Sequence, residues 1–252
     1  MHFIFNNIKH YYVCFLLLVL PLFAHTKTFD VLLYNDGNPP YSMFNSGQKS
    51  GIFIDIFKRL SELTGHKFNF RQLPVARGLR EFDMGNIDIE PGINISWRKS
   101  RAEVGLYTIA YASSTEVLFG KKIKKIGSAT DIYHSMVGIV RGYKYAVLEN
   151  HFSKDKIIKI ENRSEKELLK QLVRNHIDYV CIGYITAKYY QLQNPQYRIF
   201  ENVFELGNAD VSMRLHPKNE KYLSEFNKAL AFMIKNKEID AIYQKYTFSK
   251  LK

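Results

Sequence analysis

Three cations stand close together in this 252-residue chain: Arg98, Lys99 and Arg101. They follow the short loop Gly92-Ile93-Asn94-Ile95-Ser96-Trp97. A guanidinium presents two parallel N–H donors that match a carboxylate, and a helix N-terminus adds backbone donors aimed at the same anion. Ser96 is a residue type that caps such a helix, and Asn94 is a second polar group beside it. Arg77, in Pro74-Val75-Ala76-Arg77, is expected to begin a helix near the same strand ends, with a surface pair to Glu81 or Asp83 as the equal alternative. Arg141, next to Gly142, offers a further positive charge suited to a dianionic or phosphate-bearing group, or else a solvent-facing strand end. Tyr41, Trp97, Tyr143 and Tyr184 supply flat apolar faces that could wall a small molecule. Glu90, behind a buried strand and ahead of Pro91-Gly92, is the one acid expected nearby, either as an ammonium partner or in a structural salt bridge. This set of groups suits noncovalent capture of a small charged solute.

Other chemistry finds little support. Histidines 66, 134, 151, 176 and 216 are dispersed, with no pair four residues apart, so no metal site and no cofactor is expected. No G-x-S-x-G elbow or phosphate-binding glycine loop is present. Cys181, on an apolar strand, reads as a small buried residue. The formal charge is +12, yet the basic residues are scattered apart from Lys121-Lys122-Ile123-Lys124-Lys125. No nucleic-acid motif accompanies them, so nucleic acid is excluded as a partner. Such an excess instead steers anionic solutes or acidic surfaces.

The elements that would position these residues follow from spacing. A strand is expected over Phe29 to Tyr34, followed by a turn at Asn35 to Pro40. Ile52, Ile56, Leu60 and Leu63 mark a helix opened by Gly51 and closed by Gly65. Phe68 and Phe70 alternate as a strand, Leu79, Phe82 and Met84 indicate a helix, and Ile87 and Ile89 another strand. The order β-α-β-α-β calls for a parallel sheet covered by helices. It recurs downstream, with strands at Met136 to Val140, Ile157 to Ile160 and Ile177 to Ile182, and helices at Tyr145 to Phe152 and Glu165 to Val173. Gly85-Asn86-Ile87-Asp88 and Asn175-His176-Ile177-Asp178 are similar helix-to-strand junctions, one in each half. A final helical stretch, Tyr222 to Tyr246, carries an apolar face at Leu223, Phe226, Leu230, Ile234, Ile239, Ile242, Tyr243 and Tyr246 and is interrupted at Asn236-Lys237. Strands at Thr115 to Phe119 and Ala209 to Leu215 are natural crossings between the halves.

Residues 1–24 read as a cleaved secretory signal, with Lys9 before the apolar run Val13 to Leu20, then Pro21 and Phe23-Ala24. The run is short for a membrane span, and an uncleaved anchor is the alternative. Cleavage removes Lys9 and Cys14, which leaves a charge of +11 and Cys181 without a disulfide partner. The remaining 228 residues suffice for one large or two small cores, and 46% hydrophobic residues mark a globular chain.

Arg101 to Tyr111 (R-A-E-V-G-L-Y-T-I-A-Y) resembles the arginine-to-tyrosine segment, ending [FY]-[ST]-x-x-Y, of the family 3 extracellular solute-binding proteins. Asn35 to Phe44 resembles that family's first-strand turn, Gly51-Ile52-Phe53-Ile54-Asp55 its G-F-x-x-D helix start, and Val137 to Gly142 its V-G-V-x-x-G turn. The resemblance implies an α/β fold of the periplasmic-binding-protein-like type II class, with two α/β lobes joined by a two-segment hinge. Lobe 1 would comprise 25–114 and 207–252, and lobe 2 would comprise 115–206. It further implies a monomeric periplasmic receptor, not an enzyme, that closes over a small carboxylate-bearing or anionic solute and delivers it to an ABC transporter permease. Arg101 would anchor the solute's negative group, with Arg98 as rival because a one-residue insertion shifts the count. Tyr41 would stack and the Gly142 turn would complete the site. The family's lobe 2 aspartate has no counterpart, since counting onward from Asp178 reaches Gly183 and Tyr184. That departure argues against an ordinary zwitterionic amino acid. A sensor module and a cyclohexadienyl-dehydratase-like enzyme are the alternatives on the same fold.

Overall fold

The structure, a computed structural model, describes residues 26–35, 37–45, 47–101, 105–121 and 126–247. The expected signal segment, Cys14, and residues 122–125 of the lysine cluster lie outside the described residues.

Strand β1 (Thr28–Tyr34) is central and parallel to both β4 (Lys67–Leu73) and β5 (Ile89–Ile93). Its run Val31, Leu32, Leu33 is buried on both faces, as a parallel strand covered by helices requires. Phe29 and Val31 enter a core with helix α1 (Ile52–Thr64), while Leu32 meets Phe82 of α2 (Val75–Asp83) and Ile87 on the opposite face. Gly51 precedes α1 and Gly65, at φ 71°, ends it, where a left-handed residue lets its N–H cap Ser61. A small hairpin, β2 (Met43–Asn45) and β3 (Gln48–Ser50), sits between β1 and α1.

The second half repeats this plan. β8 (Met136–Val140) lies parallel to β9 (Ile158–Asn162) and β10 (Tyr179–Gly183), with α3 (Ala146–Ser153) and α4 (Glu165–Val173) between them in sequence. Two long strands tie the halves into one sheet: β7 (Ala112–Gly120) and β11 (Glu201–Leu215), antiparallel from Ala112↔Val211 to Gly120↔Glu201. The sheet order is β4-β1-β5-β11-β7-β10-β8-β9, with β6 (Leu106–Tyr107) also pairing with β11. Each half therefore meets the crossing pair through its last parallel strand. α5 (Tyr184–Gln193) follows β10, and α6 (Leu223–Lys235) and α7 (Glu238–Thr247) close the chain. The helix break expected at Asn236-Lys237 is present, with Lys237 at φ 56°. Ile234 departs from the expected apolar face and is 40% exposed. Phe226, Ala229, Leu230 and Met233 fill the core at helical spacing, which turns Ile234 outward.

The two junctions share their detailed bonding. Gly85 at φ 77° and Asn175 at φ 55° both leave the preceding helix in the left-handed region, which glycine and asparagine adopt at least cost. Asp88 N–H donates to Asp30 O, and Asp30 N–H donates back to Asp88 Oδ2 at 2.8 Å. Asp178 N–H donates to Met136 O, and Met136 N–H donates to Asp178 Oδ2, also at 2.8 Å. Each aspartate thereby satisfies a backbone amide near the start of the central strand of its half, Asp30 in β1 and Met136 in β8.

The environments differ. Asp178 is exposed, whereas Asp88 is buried and also accepts from Asn219 Nδ2 at 2.8 Å and Lys218 Nζ at 2.9 Å. Burial works to raise the Asp88 carboxyl, but these donors hold it below the usual carboxylate range. Asp88→Ala is expected to cost about 2–3 kcal/mol by orphaning buried donors. Asp178→Ala should cost clearly less in the same chemical-denaturation experiment, and equal losses would refute the burial argument.

Candidate functional site

A cavity of about 110 Å³ lies where the two halves face each other. The halves touch around it. Tyr34 and Tyr143 approach with ring centroids 6.0 Å apart, and Thr186 Oγ1 donates to Asn38 Oδ1 at 3.2 Å. Gly142, at φ +93°, brings the turn after β8 against α2. A Cβ there would sit 3.0 Å from Val75 Cγ1. Strand ends supply the first wall: Leu32 to Tyr34 of β1 and Glu90 to Ile93 of β5. Tyr41 lines the cavity with 9% exposure, its ring 5.2 Å from Phe53 and 6.2 Å from Tyr243. From the second half come Tyr143, Lys144, Tyr145 and Glu165, and from β7 come Ser114 and Glu116.

Glu90 is the electrostatic centre of the first wall. It is 1% exposed and receives Arg98 Nη2 at 2.6 Å and Nε at 3.3 Å. Arg214 Nη1 donates to its other oxygen at 3.1 Å, and Tyr34 Oη donates to Oε1 at 3.3 Å. Arg214 is 0% exposed, stacks 4.1 Å over Phe82 and approaches Asp83 at 3.6 Å. Burial this complete is tolerable for an arginine only when charge and hydrogen bonding are both met.

This arrangement settles the two roles left open for Glu90 in favour of the structural salt bridge. It also engages Arg98. Each of the three guanidinium nitrogens already donates to a protein oxygen, Nη1 to Trp97 O at 3.1 Å. The helix expected after Ser96 does not form. Ile95–Arg101 is a 3-10 segment broken at Arg98, whose φ of −122° and ψ of 24° accompany the turn of its side chain toward Glu90. Asn94, not Ser96, caps the segment: its Oδ1 accepts from Ser96 N–H at 2.9 Å, and its Nδ2 donates to Asp210 O.

The expected site residues divide accordingly. Arg98, Tyr41, Tyr143 and Trp97 line the cavity. Asn94 and Ser96 are at its margin and do not line it. Arg77 is exposed and pairs with Glu81 at 3.7 Å, and Arg141 is exposed and pairs with Glu161 at 3.5 Å. Tyr184 is 41% exposed under Lys188, away from the cavity. Arg101 ends the 3-10 segment, and its side chain lies outside the described residues.

Two carboxylates that spacing left unmarked share the cavity. Glu116 projects from crossing strand β7, with Ser114 Oγ donating to it at 3.3 Å. Glu165 opens α4 directly after the capping Ser164 and is 5% exposed. Burial pushes Glu116 up to about 7 against the Ser114 hydrogen bond. Burial likewise pushes Glu165 up to about 7; its own backbone N–H opposes this and the charge of Glu116 adds to it. Burial also raises the phenols of Tyr41, Tyr143 and Tyr145, which face the cavity as neutral hydroxyls. Gly183, reached by counting onward from Asp178, does line the cavity without a carboxylate, and the acids arrive from other elements. Their only sequence signals were a lone acid in the strand Ser113-Ser114-Thr115-Glu116-Val117-Leu118 and a first-turn helix acid, both ordinary features. Among the described residues no group of three metal-ligating side chains occurs, and no helix is long and apolar enough to cross a membrane.

The profile of the bacterial extracellular solute-binding proteins, family 3, matches residues 31–250. An ancestral arginine-binding protein bound to arginine is similar at 22% identity and TM-score 0.76, over 87% of this chain and 97% of that one. A histidine kinase sensor domain with similarity to periplasmic binding proteins is 18% identical over 88% and 96% of the two chains, with TM-score 0.76. An ABC uptake transporter substrate-binding protein from Streptococcus pneumoniae, with bound histidine, is 20% identical over 87% and 92%, with TM-score 0.74. At these identities the likeness establishes the fold. Among curated proteins none matches the sequence.

Two outcomes test the electrostatics. Glu90→Ala strands two buried arginines and should cost about 3–5 kcal/mol in chemical denaturation. Glu149→Ala, which removes an exposed pair with Lys144, should cost under about 1 kcal/mol. A comparable small loss for Glu90→Ala would dismiss the buried centre. For Glu165, the folded protein holds its proton more tightly than the unfolded chain. Stability from this group is therefore present at acidic pH and lost as pH rises from about 4.5 to about 7. The loss is at most about 3 kcal/mol. Glu165→Gln should raise the melting temperature at pH 8 and shrink the decline between pH 5 and pH 8; an unchanged decline would contradict the assignment.

Proposed function

Because this chain belongs to the bacterial extracellular solute-binding proteins, family 3, we propose that it captures a small polar solute in the cavity between two lobes and delivers it to an ABC importer. The observation that carries this reading is the cavity itself, walled by strand ends of both halves and bordered by contacts between them at Tyr34–Tyr143 and Asn38–Thr186. Lobe 1 would comprise 25–114 with 207–252, and lobe 2 would comprise 115–206. The boundaries fall on β7 and β11, where Ser114 pairs with Ala209 and Glu116 with Gly207. Rotation about two adjacent strands opens and closes such a cleft as a hinge. Ligand contacts made only when both walls meet would provide the differential affinity that drives closure.

The solute is an amino acid or analogue, a class supported by the arginine and histidine held by two structurally similar proteins. Its carboxylate would be anchored by Arg101, since Arg98 is engaged by Glu90, and Tyr41 and Tyr143 would pack against it. Arg77, Asn94, Ser96, Arg141 and Tyr184 stand outside the wall of this cavity. The protein would reach the periplasm through a signal segment at residues 1–24, act as a monomer, and dock in its closed form on a permease.

Two other readings use the same cleft. Sensing for a signalling partner is supported by the similar histidine kinase sensor domain. Adjacent permease and ATPase genes would favour import, and an adjacent kinase or cyclase gene would favour sensing. A dehydratase-like enzyme needs a carboxylic acid in the cleft, a role Glu165 could fill. Turnover of prephenate or arogenate by the purified protein would establish that reading instead.

A thermal-shift panel of amino acids, polyamines, small carboxylates, sugars and sugar phosphates is the direct test. A solute at one hundred times its Kd adds about 2.7 kcal/mol, a clear rise in melting temperature. Arg101→Ala should abolish the rise for carboxylate-bearing solutes while the apo melting temperature stays put. Unchanged affinity would remove Arg101 from the site.

A further inference from the structure

The cavity's charged groups do not balance. Of those on its wall, Glu90 is matched by Arg98 and Arg214. Lys144 is exposed and pairs outward with Glu149 at 3.4 Å. Glu116 has a hydroxyl donor and no cation among the described residues. Glu165, 95% buried by its 5% exposure, has no side-chain or cationic partner among them; its only donor is its own backbone N–H. A carboxylate buried this deeply without a cation is costly to ionise, and one that faces a cavity is complemented by whatever positive group enters there. The walls beside the two acids are the rings of Tyr41, Tyr143 and Tyr145, whose faces carry negative quadrupole potential and attract cations.

We infer that Glu116 and Glu165 form the seat for a protonated aliphatic amine, so that the solute of this cavity carries net positive charge. This deepens the solute-binding reading above and rests on it. The amine could be the side-chain amine of a basic amino acid or belong to a diamine without a carboxylate; an ammonium group that no carboxylate of the solute balances is the shared chemistry. Three arguments favour a cation over the anion that the sequence suggested. The buried arginine on the wall is held by Glu90 through two of its nitrogens. The remaining acids project from two separate elements, β7 and the start of α4, onto one space. No cation of the described protein reaches Glu165, so a bound ammonium would supply the missing partner.

The seat carries its own pH signature. The titratable groups that interact with Glu165 are Glu116 on β7, Tyr34 on β1, Tyr41 in the first turn, and Tyr143 and Tyr145 after β8, with Lys144 and Arg98 as the cations on the wall. Burial keeps the phenols neutral and Glu90 keeps Arg98 charged between pH 6 and pH 8, while both glutamates, pushed up by burial to about 7, ionise there. Amine binding must therefore expel protons and tighten as pH rises through this interval.

Titration calorimetry of the purified protein with L-lysine, putrescine, L-glutamine and L-glutamate, at pH 6 and pH 8 and in two buffers of different ionisation enthalpy, tests the seat. Lysine or putrescine should bind, at least tenfold tighter at pH 8 than at pH 6, with proton release. Binding of putrescine would show that the seat needs no carboxylate; binding of lysine alone would show that an anion anchor acts with it. Glu165→Gln and Glu116→Gln should each weaken amine binding tenfold or more and reduce the proton release, while Lys159→Ala, on an exposed strand position paired with Glu161, leaves both unchanged. Circular dichroism melting confirms that the variants are folded. Binding confined to glutamine or glutamate, or amine binding indifferent to both glutamine variants, overturns the amine seat while solute capture stands. Silence from every solute class overturns both.

Discussion

Glu90 holds the first half of this molecule to its crossing strand, and most of the site follows from that. Its carboxylate joins β5, the 3-10 segment through Arg98, β11 through Arg214 and β1 through Tyr34. A carboxylate with 1% exposure is stable there only because two guanidinium groups and a phenol surround it. The same bonds draw Arg98 inward, break the helical path of the segment that carries it, and leave that arginine with little to offer a ligand. An interaction that secures the architecture thus also sets the charge of the cleft.

The halves that meet at this cleft are built alike. In each, a helix is followed by a left-handed residue, Gly85 or Asn175, and an aspartate three residues later accepts from a backbone amide near the start of the central strand. Each places its three parallel strands so that the last adjoins β7 or β11. The parallel strand ends consequently point toward the space between the halves, where open α/β sheets place their ligands. The long antiparallel pair β7–β11 is the feature both halves share, and Glu116 sits on it.

The cleft combines two electrostatic regimes. On one side, Glu90, Arg98 and Arg214 satisfy one another and are closed to further chemistry. On the other, burial raises Glu116 and Glu165 to about 7, with no cation beside them among the described residues. Buried carboxylates in that state destabilise the empty protein at neutral pH. A receptor can use such a cost, because the ligand that relieves it gains affinity for the closed form.

How much of this was legible beforehand depends on the range of the interaction. Strand and helix order, the Gly51 and Gly65 limits of α1, the paired junctions and the break at Asn236-Lys237 were readable, because period, caps and left-handed turns are set by residues a few positions apart. The family resemblance along Arg101 to Tyr111 and the glycine turns likewise sits in contiguous residues, and it foresaw the two-lobed class. Tertiary structure alone decided which charges are paired. Glu90 meets Arg214 across 124 positions, and Glu116 and Glu165 reach one cavity from a crossing strand and a helix start. Arg141 turned to Glu161 of the neighbouring strand for the same reason, whereas Arg77 took the local pair with Glu81 that helical spacing offered and Asn94 took the capping role expected of Ser96. The sequence by itself therefore determined the scaffold and the existence of a cleft, whose causes are local. Only the folded chain decided that Glu116 and Glu165 share the cleft with no cation beside them among the described residues, because that outcome rests on long-range pairings no local pattern contains.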